Sequence, residues 1–420
     1  MDRRFFNLFN LTEAQAIQLL KTPLDQLDDP SERYVAAAQL AYFSTESSVK
    51  ALIEATEIPG SELYHRIARR KAIESLGKLK APQALRAIRA CLSDQDCYTV
   101  ENAVWAIGEI GSQDQDILAE ITALLHKPDQ SYRVIIQTLS KLNYYPSLKS
   151  IEQFVEAENQ NLASVAIATI ARLSGDYTQI GRVVELLQHS NVEVRRSCIQ
   201  DLIDADYFFA IPEIATCPVS LVFRLRGIRL LASSGKQAGQ ITFADVEPYL
   251  DQVIWDHPNN LKLVHEYDQA PEFDFLLQEL YQTDFGRCYL GSKTLLELYP
   301  DQAASGLLAT YAAQAHNDYG AHYHVIKLLG WLKYAPAYDL LVEALNNTAP
   351  QFQKSRVAAA IALGQLGNPA AIPLLQQALE QKSFELKYAA LIALEQLEDL
   401  TGKALLAKDP DWLIQAKANR

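Results

Sequence analysis

The chain has 420 residues, of which 49% are hydrophobic and 21% are charged, and its formal net charge is −13. This acidic balance argues against a nucleic-acid-binding role, because proteins of that class usually present an excess of Lys and Arg. No run of about 18 apolar residues occurs, so we expect no membrane span. The five cysteines form no Cys-x-x-Cys pair, which is typical of reduced thiols in a cytosol-like compartment.

Repeated amphipathic helices account for most of the chain. Residues 1–30 precede the first clear repeat and are predicted to cap the fold. In the segment 98–111, Val100, Ala103, Ala106 and Ile107 recur at three- and four-residue steps, so they form one apolar helical stripe. Equivalent apolar residues recur at intervals of about 31 residues, with two predicted helices in each interval. They are Leu76, Ile107, Leu139, Ile170 and Leu202, followed after a gap by Leu296, Leu329, Leu363 and Leu394.

This period predicts an all-α fold, a curved α-solenoid of HEAT-like helical hairpin repeats. Residues 31–205 are predicted as an N-terminal array and residues 286–420 as a C-terminal array. The intervening residues, 206–285, lose the period, and we expect an irregular helical segment there. In HEAT proteins the second helix of each pair lines the concave surface, so the exposed positions of the second helices are the candidate binding positions.

Those exposed positions combine cations, aromatic rings and carboxylates. Such a surface suits a flat, anionic and partly apolar ligand, because Arg and Lys pair with carboxylates and Trp and Tyr cover rings. The candidate binding residues are Tyr98, Glu101, Trp105, Arg133, Arg196, Tyr323, His324 and Lys327. The alternative is structural: HEAT repeats commonly pair an arginine at this place with an aspartate of the preceding turn, which would account for Arg70, Arg133, Arg196 and Arg356.

A second candidate site lies in the turn before the helix of Leu329. There, Asp318, Tyr319 and His316 stand close together in the sequence beside Gly320, a pattern that fits acid–base chemistry. The alternative is that Asp318 caps the following helix and Tyr319 packs between repeats. No metal site is expected, because the nearby histidines are two residues apart and would point in different directions on a helix. The sequence also lacks the GxSxG, P-loop and GxGxxG motifs.

Two strings, at residues 66–77 and 97–109, resemble the phycobiliprotein bilin lyases of the E/F type, which are HEAT-like proteins of cyanobacteria. The string at residues 3–12 is similar to the subgroup that handles phycoerythrobilin on the α-subunits of phycoerythrin. The resemblance spans nearly the whole chain. It implies a protein of the cyanobacterial cytosol that binds a linear tetrapyrrole and presents it to a cysteine of an apo-phycobiliprotein.

The resemblance further implies that phycoerythrobilin is a substrate, that no prosthetic group is bound, and that the partner is a phycoerythrin α-subunit whose cysteine forms a thioether. Arg and Lys would then bind the two propionates, Glu101 or Asp318 the pyrrole nitrogens, and Trp105 or Tyr98 the rings. Some members of the family also isomerise the pigment to phycourobilin. That reaction needs a base and an acid, for which Asp318 and Tyr319 are the candidates, with His316 or His324 as a proton shuttle.

Two other functions remain open at this point. A non-enzymatic HEAT-repeat scaffold or chaperone would hold a phycobiliprotein subunit and would bind it equally well without bilin. A factor that detaches old chromophores would share the fold and would run the reaction in the opposite direction. A change in the absorption spectrum of phycoerythrobilin on mixing with the protein distinguishes a lyase from a scaffold.

Overall fold

A computed structural model describes residues 11–58 and 62–420 of the chain. Those residues contain α-helices and short 3-10 turns, and within them there is no β-strand. The chain divides into two compact units, one ending at Ile180 and the other covering Gly181–Arg420. The all-α fold predicted from the repeat period is therefore confirmed for the described residues.

The first unit is a succession of helical pairs in which the even-numbered helix is the second member. Its helices are α1 (Glu13–Lys21), α2 (Glu32–Leu40), α3 (Glu46–Thr56), α4 (Leu63–Lys78), α5 (Leu85–Ala90), α6 (Cys97–Ile110), α7 (Gln115–Ala123), α8 (Tyr132–Lys141), α9 (Leu148–Ile151) and α10 (Gln160–Ser174). The second helices α2, α4, α6, α8 and α10 pack side by side in chain order. The part of the predicted cap that is described, residues 11–30, supplies the first helix of the first pair.

Local sequence signals explain where α6 begins and ends. The Asp96 side chain caps its start by accepting a hydrogen bond from the Thr99 backbone N–H at 3.2 Å. Gly111 ends it with a positive φ of 80°, a conformation that glycine adopts without a steric penalty. Between these ends, Val100, Ala103 and Ile107 are buried, as the apolar stripe predicted.

A glycine follows the buried reference residue in several second helices, and it allows neighbouring second helices to approach closely. A methyl group on Gly77 would lie 2.8 Å from the Ala106 Cα, and one on Gly330 would lie 2.8 Å from the Ala362 Cα. The same contact recurs between Gly364 and Ala393, again at 2.8 Å. A side chain of any size at these positions would collide with the backbone of the next repeat, so the interval between repeats depends on glycine.

The second unit continues the pairs after a helix that straddles the division. Its helices are α11 (Ile180–Glu185), α12 (Val192–Asp204), α13 (Ile211–Thr216), α14 (Leu221–Gln237), α15 (Phe243–Trp255), α16 (Phe273–Glu279), α17 (Phe285–Leu298), α18 (Pro300–Ala313), α19 (Tyr319–Trp331), α20 (Tyr338–Asn346), α21 (Gln353–Leu366), α22 (Ile372–Leu379), α23 (Phe384–Gln396), α24 (Thr401–Leu406) and α25 (Trp412–Ala418). The domain boundary predicted at residue 205 falls inside this unit, where Arg195 of α12 pairs with Asp284.

The segment predicted to be helical but irregular, 206–285, lies within the second unit. It contains α13, α14, α15 and α16, and the irregularity is confined to the chain between α15 and α16. There a single short 3-10 turn, Pro258–Asn260, replaces the second helix of a pair. The period is lost in the sequence because this one half-repeat is extended.

Within the second unit, the helices around this half-repeat pack against the last helices of the chain. Helix α15 contacts α21, α23 and α25. The Tyr388 hydroxyl donates to Asp251 at 2.7 Å, the Lys417 amine pairs with Glu247 at 3.0 Å, and Arg229 pairs with Asp411 at 2.9 Å. Helix α15 therefore covers a side of these second helices that the solenoid prediction expected to be exposed to solvent.

Two of the predicted reference residues are out of register. Ile170 and Leu296 are only half-buried, whereas Leu76, Ile107, Leu139, Leu202, Leu329, Leu363 and Leu394 are buried. In α17 the leucine that is fully buried at this place is Leu295, one position earlier than the predicted Leu296. A step of one residue turns a helix by about 100°, so an error of one residue moves the reference off the core.

Candidate functional site

The exposed side of the second helices in the first unit carries the predicted mixture of cations, rings and carboxylates. We call this surface the second-helix face. Its members are Arg70, Lys71, Glu74 and Lys78 of α4, Tyr98, Glu101, Trp105 and Glu109 of α6, and Arg133 and Lys141 of α8. Helical spacing places the residues of each helix on one side, and the packing of α4, α6 and α8 brings the three rows together.

Arg70 joins the first two rows. Its guanidinium lies 4.7 Å from the centre of the Tyr98 ring, and its Nε donates to the Asp96 carboxylate at 2.7 Å. Burial opposes ionisation of Asp96, but hydrogen bonds from Arg70 and Thr99 outweigh it and lower the pKa of that carboxyl. Because Asp96 also caps α6, Arg70 has a structural role, although its partner lies in the turn before the next second helix and not in the preceding turn that the alternative named. Arg70 holds one face of Tyr98 as well. Tyr98 as a whole is nevertheless 57% exposed.

Trp105 lies between α6 and α4. The indole carbon Cζ3 is 2.8 Å from the place that a Cβ on Gly77 would take, so the ring rests against the α4 backbone. The residue is half-buried. A ring supported in this way loses little conformational freedom when a flat ligand covers its remaining surface.

The carboxylates of α6 are engaged with α8. Glu101 accepts a short hydrogen bond from the Ser131 hydroxyl, and Glu109 pairs with the Lys141 amine at 2.6 Å. The Arg133 guanidinium donates to the Asn161 backbone oxygen of α10 at 2.5 Å. The structure thus brings Tyr98, Glu101, Trp105 and Arg133 onto one face, although Arg133 also holds two helices together.

The prediction that Tyr323, His324 and Lys327 occupy exposed groove positions is wrong. All three are buried in the second unit, with exposed fractions of 1%, 0% and 4%. The helix α19 that carries them is enclosed by neighbouring helices and rings, among them Phe285, which lies 4.7 Å from the His324 ring. Burial lowers the pKa of His324 well below its ordinary range, so this imidazole is neutral at pH 7.

These residues belong instead to a buried ionic cluster centred on Asp256. The carboxylate accepts hydrogen bonds from the Lys327 amine at 2.7 Å and the Tyr289 hydroxyl at 2.9 Å, with shorter bonds from Tyr323 and Arg224. The cluster joins α14, the residue after α15, α17 and α19 within the second unit. Its members are far apart in the sequence, and only Tyr323 and Lys327 were singled out from it.

Two cations in this cluster share a single carboxylate. Burial opposes the ionisation of Asp256, but Lys327 and Arg224 outweigh it and lower the pKa of the carboxyl. Burial lowers the pKa of Lys327 to about 8, against an opposing contribution from Asp256. Burial also raises the pKa of Tyr289 and Tyr323 well above 10, so both hydroxyls remain neutral donors. The cluster is a buried junction of helices rather than an open site.

The three predicted acid–base residues each have a different interaction partner in the structure. The Asp318 carboxylate caps α19 by accepting from the backbone N–H groups of Gly320 at 2.8 Å and Ala321 at 2.7 Å. Tyr319 is exposed, and the Lys354 amine lies 4.5 Å from its ring centre. The His316 Nδ1 lies 2.9 Å from the Tyr311 backbone oxygen. The capping alternative therefore describes Asp318, while a catalytic role of these residues stays a prediction.

Arg196, the remaining candidate, lies in the second unit. Its guanidinium pairs with Glu193 at 2.8 Å and lies 5.2 Å from the centre of the Phe223 ring. Its neighbour Arg195 is fully buried and pairs with Asp284 at 2.5 Å. The sequence indicated an arginine at the start of this helix, but it did not show which of the two adjacent arginines faces the core.

Within residues 11–58 and 62–420, no group of three or more His, Cys, Asp or Glu side chains is arranged to hold a metal ion. The five cysteines are free thiols. In the same part of the chain, no helix is both long enough and apolar enough to cross a membrane.

Comparison with known proteins gives consistent results. A family model described as HEAT repeats matches residues 63–140 and 348–420. The chain is 54% identical to the "uncharacterized phycocyanin operon protein Y" of Pseudanabaena tenuis, over 100% of both chains. It is 32% identical to the bilin biosynthesis protein CpeY of a Synechococcus species, over 95% of this chain and 99% of that protein.

Among solved structures, the chain is similar to the complex of CpcE and CpcF of phycocyanin lyase from a Nostoc species. The alignment has a TM-score of 0.49 and 23% sequence identity, and it covers 58% of this chain and 94% of the matched chain.

Proposed function

The chain belongs to the E/F-type phycobiliprotein bilin lyases, and on that premise we propose that it attaches phycoerythrobilin by a thioether bond to a cysteine of a phycoerythrin α-subunit. Its relatives are named as bilin biosynthesis proteins and as phycocyanobilin lyase subunits, so the protein is a chromophore lyase. The choice of phycoerythrobilin and of the α-subunit is supported by the likeness of the N-terminal string to the phycoerythrin-specific subgroup.

The second-helix face is the observation that carries the proposal. A linear tetrapyrrole has a long conjugated surface, two propionates and polar pyrrole nitrogens. Trp105 and Tyr98 offer ring surface at the centre of this face, each held from one side. Arg70 and Lys141 stand on the neighbouring helices and can exchange part of their present ion pairs for a propionate. Glu101, which accepts from the Ser131 hydroxyl, is the carboxylate that we assign to the pyrrole N–H groups in this proposal.

The chemistry of attachment explains why the chain needs no nucleophile motif. The acceptor cysteine adds its S–H group across a side-chain double bond of the bilin, so that sulfur bonds to carbon and the bilin takes up the proton. The nucleophilic thiolate therefore comes from the partner. What this chain supplies is orientation: holding the bilin against the thiol turns a bimolecular encounter into an effectively unimolecular step.

Isomerisation to phycourobilin is a further part of the proposal, and it requires one proton to be removed and one returned. Among the residues predicted for it, Tyr319 is exposed, both ring nitrogens of the exposed His316 already have hydrogen-bond partners, and Asp318 caps α19. We expect Tyr319→Phe to leave the yield of attached pigment unchanged and to shift its absorption from phycourobilin to phycoerythrobilin. An unchanged absorption spectrum would remove Tyr319 from the reaction.

Co-expression tests the attachment itself. The chain is produced together with the enzymes of phycoerythrobilin synthesis and with single phycoerythrin subunits, and covalent pigment is measured on each subunit by absorption and by fluorescence in denaturing gels. We expect pigment on the α-subunit.

Trp105→Ala should lower the yield of attached pigment about tenfold, because an aromatic contact worth about 1.4 kcal/mol is removed. Trp105→Phe should restore most of that yield.

The control is Tyr145→Ala, which removes an exposed aromatic side chain (58%) from a short turn before α9, outside the second-helix face. This variant should attach pigment as the wild type does. If the α-subunit binds the chain equally well without bilin and never gains pigment, the protein is a scaffold. If pigment appears on a different subunit, the choice of acceptor is wrong while the lyase activity stands.

A further inference from the structure

The second-helix face continues beyond the residues indicated by the sequence, onto α2. Tyr34 and Ala38 of α2, and Tyr42 just after its end, stand at four-residue steps on the side next to α4. Between them is an open pocket of about 690 Å³ lined mainly by carbon, with Val35 and Ala41 also in its wall. The small side chain of Ala38 leaves space between two tyrosine rings, and Tyr42 is 81% exposed.

Two lysines of α4 border this pocket and share one carboxylate. The Lys71 amine lies 4.8 Å from the centre of the Tyr34 ring and pairs with Glu74. Lys78 lines the pocket and pairs with the other oxygen of Glu74 at 2.6 Å. Glu74 pairs with both amines, so on the α4 side of the pocket two cations share one carboxylate.

We infer that this pocket is a binding subsite for one end of an open-chain tetrapyrrole, in which a terminal pyrrole ring lies between Tyr34 and Tyr42 and a propionate pairs with Lys78. This inference rests on the proposed function and specifies where on the face the pigment is held. Tyr34 and Tyr42 would then be specificity-determining residues, since both line the pocket that receives the ring.

Two features argue for this occupant. The pocket walls are mainly apolar, and the rings of Tyr34 and Tyr42, two helical turns apart, offer aromatic surface to a conjugated ring. A carboxylate on the ligand would pair with Lys78 without displacing Glu74 from Lys71.

Equilibrium binding of free pigment tests the inference on the full chain. Phycoerythrobilin and its dimethyl ester, which lacks the two carboxylate charges, are titrated and the change in visible absorption is recorded. We expect the double variant Tyr34→Ala, Tyr42→Ala to weaken binding of both pigments about tenfold, from the loss of two ring contacts. Lys78→Gln should weaken binding of the free acid about three- to fivefold and leave binding of the ester unchanged.

Tyr145→Ala is again the control, and circular dichroism establishes that each variant is folded. If the wild type binds pigment and the double variant binds it equally well, the subsite is overturned and the lyase function still stands. Equal effects of Lys78→Gln on acid and ester overturn the propionate contact. Failure of the wild-type chain to bind either pigment or to label any subunit contradicts the proposed function itself, which is a separate result.

Discussion

Replacement of Asp256 by Asn is expected to destabilise the protein by about 3–5 kcal/mol, because it removes the only carboxylate from a buried group that contains two cations. Arg224 and Asp256 are 0% and 1% exposed, and Lys327 is 4% exposed. With Asn at position 256, the packing around both cations is unchanged, but the negative charge that compensated them is gone. The unfolding free energy is measured by urea denaturation of the full chain.

An exposed aspartate without a buried cation as its partner should lose far less unfolding free energy on the same substitution. Asp339, in the first turn of α20, is exposed, and Asp339→Asn should change the unfolding free energy by less than about 0.5 kcal/mol. Lys327→Met removes the surplus cation and leaves one Arg with one Asp, so it should cost less than Asp256→Asn. Equal losses in these two variants of the cluster would show that the charge balance is not what stabilises it.

The same cluster predicts how stability changes with pH. The pKa of Asp256 in the folded protein lies below its ordinary value of 3.8, since the two cations outweigh burial. A carboxyl with a lowered pKa stabilises the fold fully above that ordinary value, and the contribution is lost as pH falls through the folded pKa. Acid denaturation of the wild type should therefore steepen below pH 3.8, and Asp256→Asn should lack this part of the curve.

Gly330→Ala is the second substitution with a large expected effect, a loss of about 1–3 kcal/mol from overpacking. The new methyl group would lie 2.5 Å from the Ala362 Cβ and 2.8 Å from its Cα. The Cα belongs to the backbone of α21, so relief requires a shift between two repeats rather than a rotation of a side chain. The loss should appear as a lower urea midpoint with little change in the slope.

Gly181→Ala provides the matched control in the same unit. Gly181 lies in α11, and a methyl group there would have no heavy atom within 4 Å. Alanine is a better helix former than glycine by about 0.5–1 kcal/mol, so this variant should be as stable as the wild type or more stable. If Gly330→Ala is also neutral, the close contact between α19 and α21 does not set the spacing of the repeats.

Much of the helical organisation could be predicted because it depends on near neighbours in the sequence. The apolar stripe of α6, its capping by Asp96 and its end at Gly111 all follow from residues a few positions apart. The same holds for Tyr98, Glu101 and Trp105, which the structure places on one face. The signal for Tyr34 and Tyr42 was also present, since they stand six residues before and two after Leu40 just as Arg70 and Lys78 stand around Leu76.

The errors came from contacts between residues distant in the sequence. Tyr323, His324 and Lys327 have the spacing of an exposed stripe, but the second unit packs helices over them. Nothing local in the sequence connects Asp256 with Arg224, Tyr289 and Lys327, which lie on separate elements. Polar residues on a helix face are compatible with solvent and with a buried, fully bonded cluster, and the periodic pattern does not distinguish the two.

The sequence by itself determined that this protein is a succession of paired helices, and which side of α6 packs inward and which side stays exposed. Side-chain periodicity and caps are local properties, and they are sufficient for those conclusions. Only the tertiary structure decided which polar faces remain open. That outcome depends on whether a distant helix covers a face and supplies partners for its charges, as Asp256 does for Lys327, since a buried charge is tolerated only when it is paired.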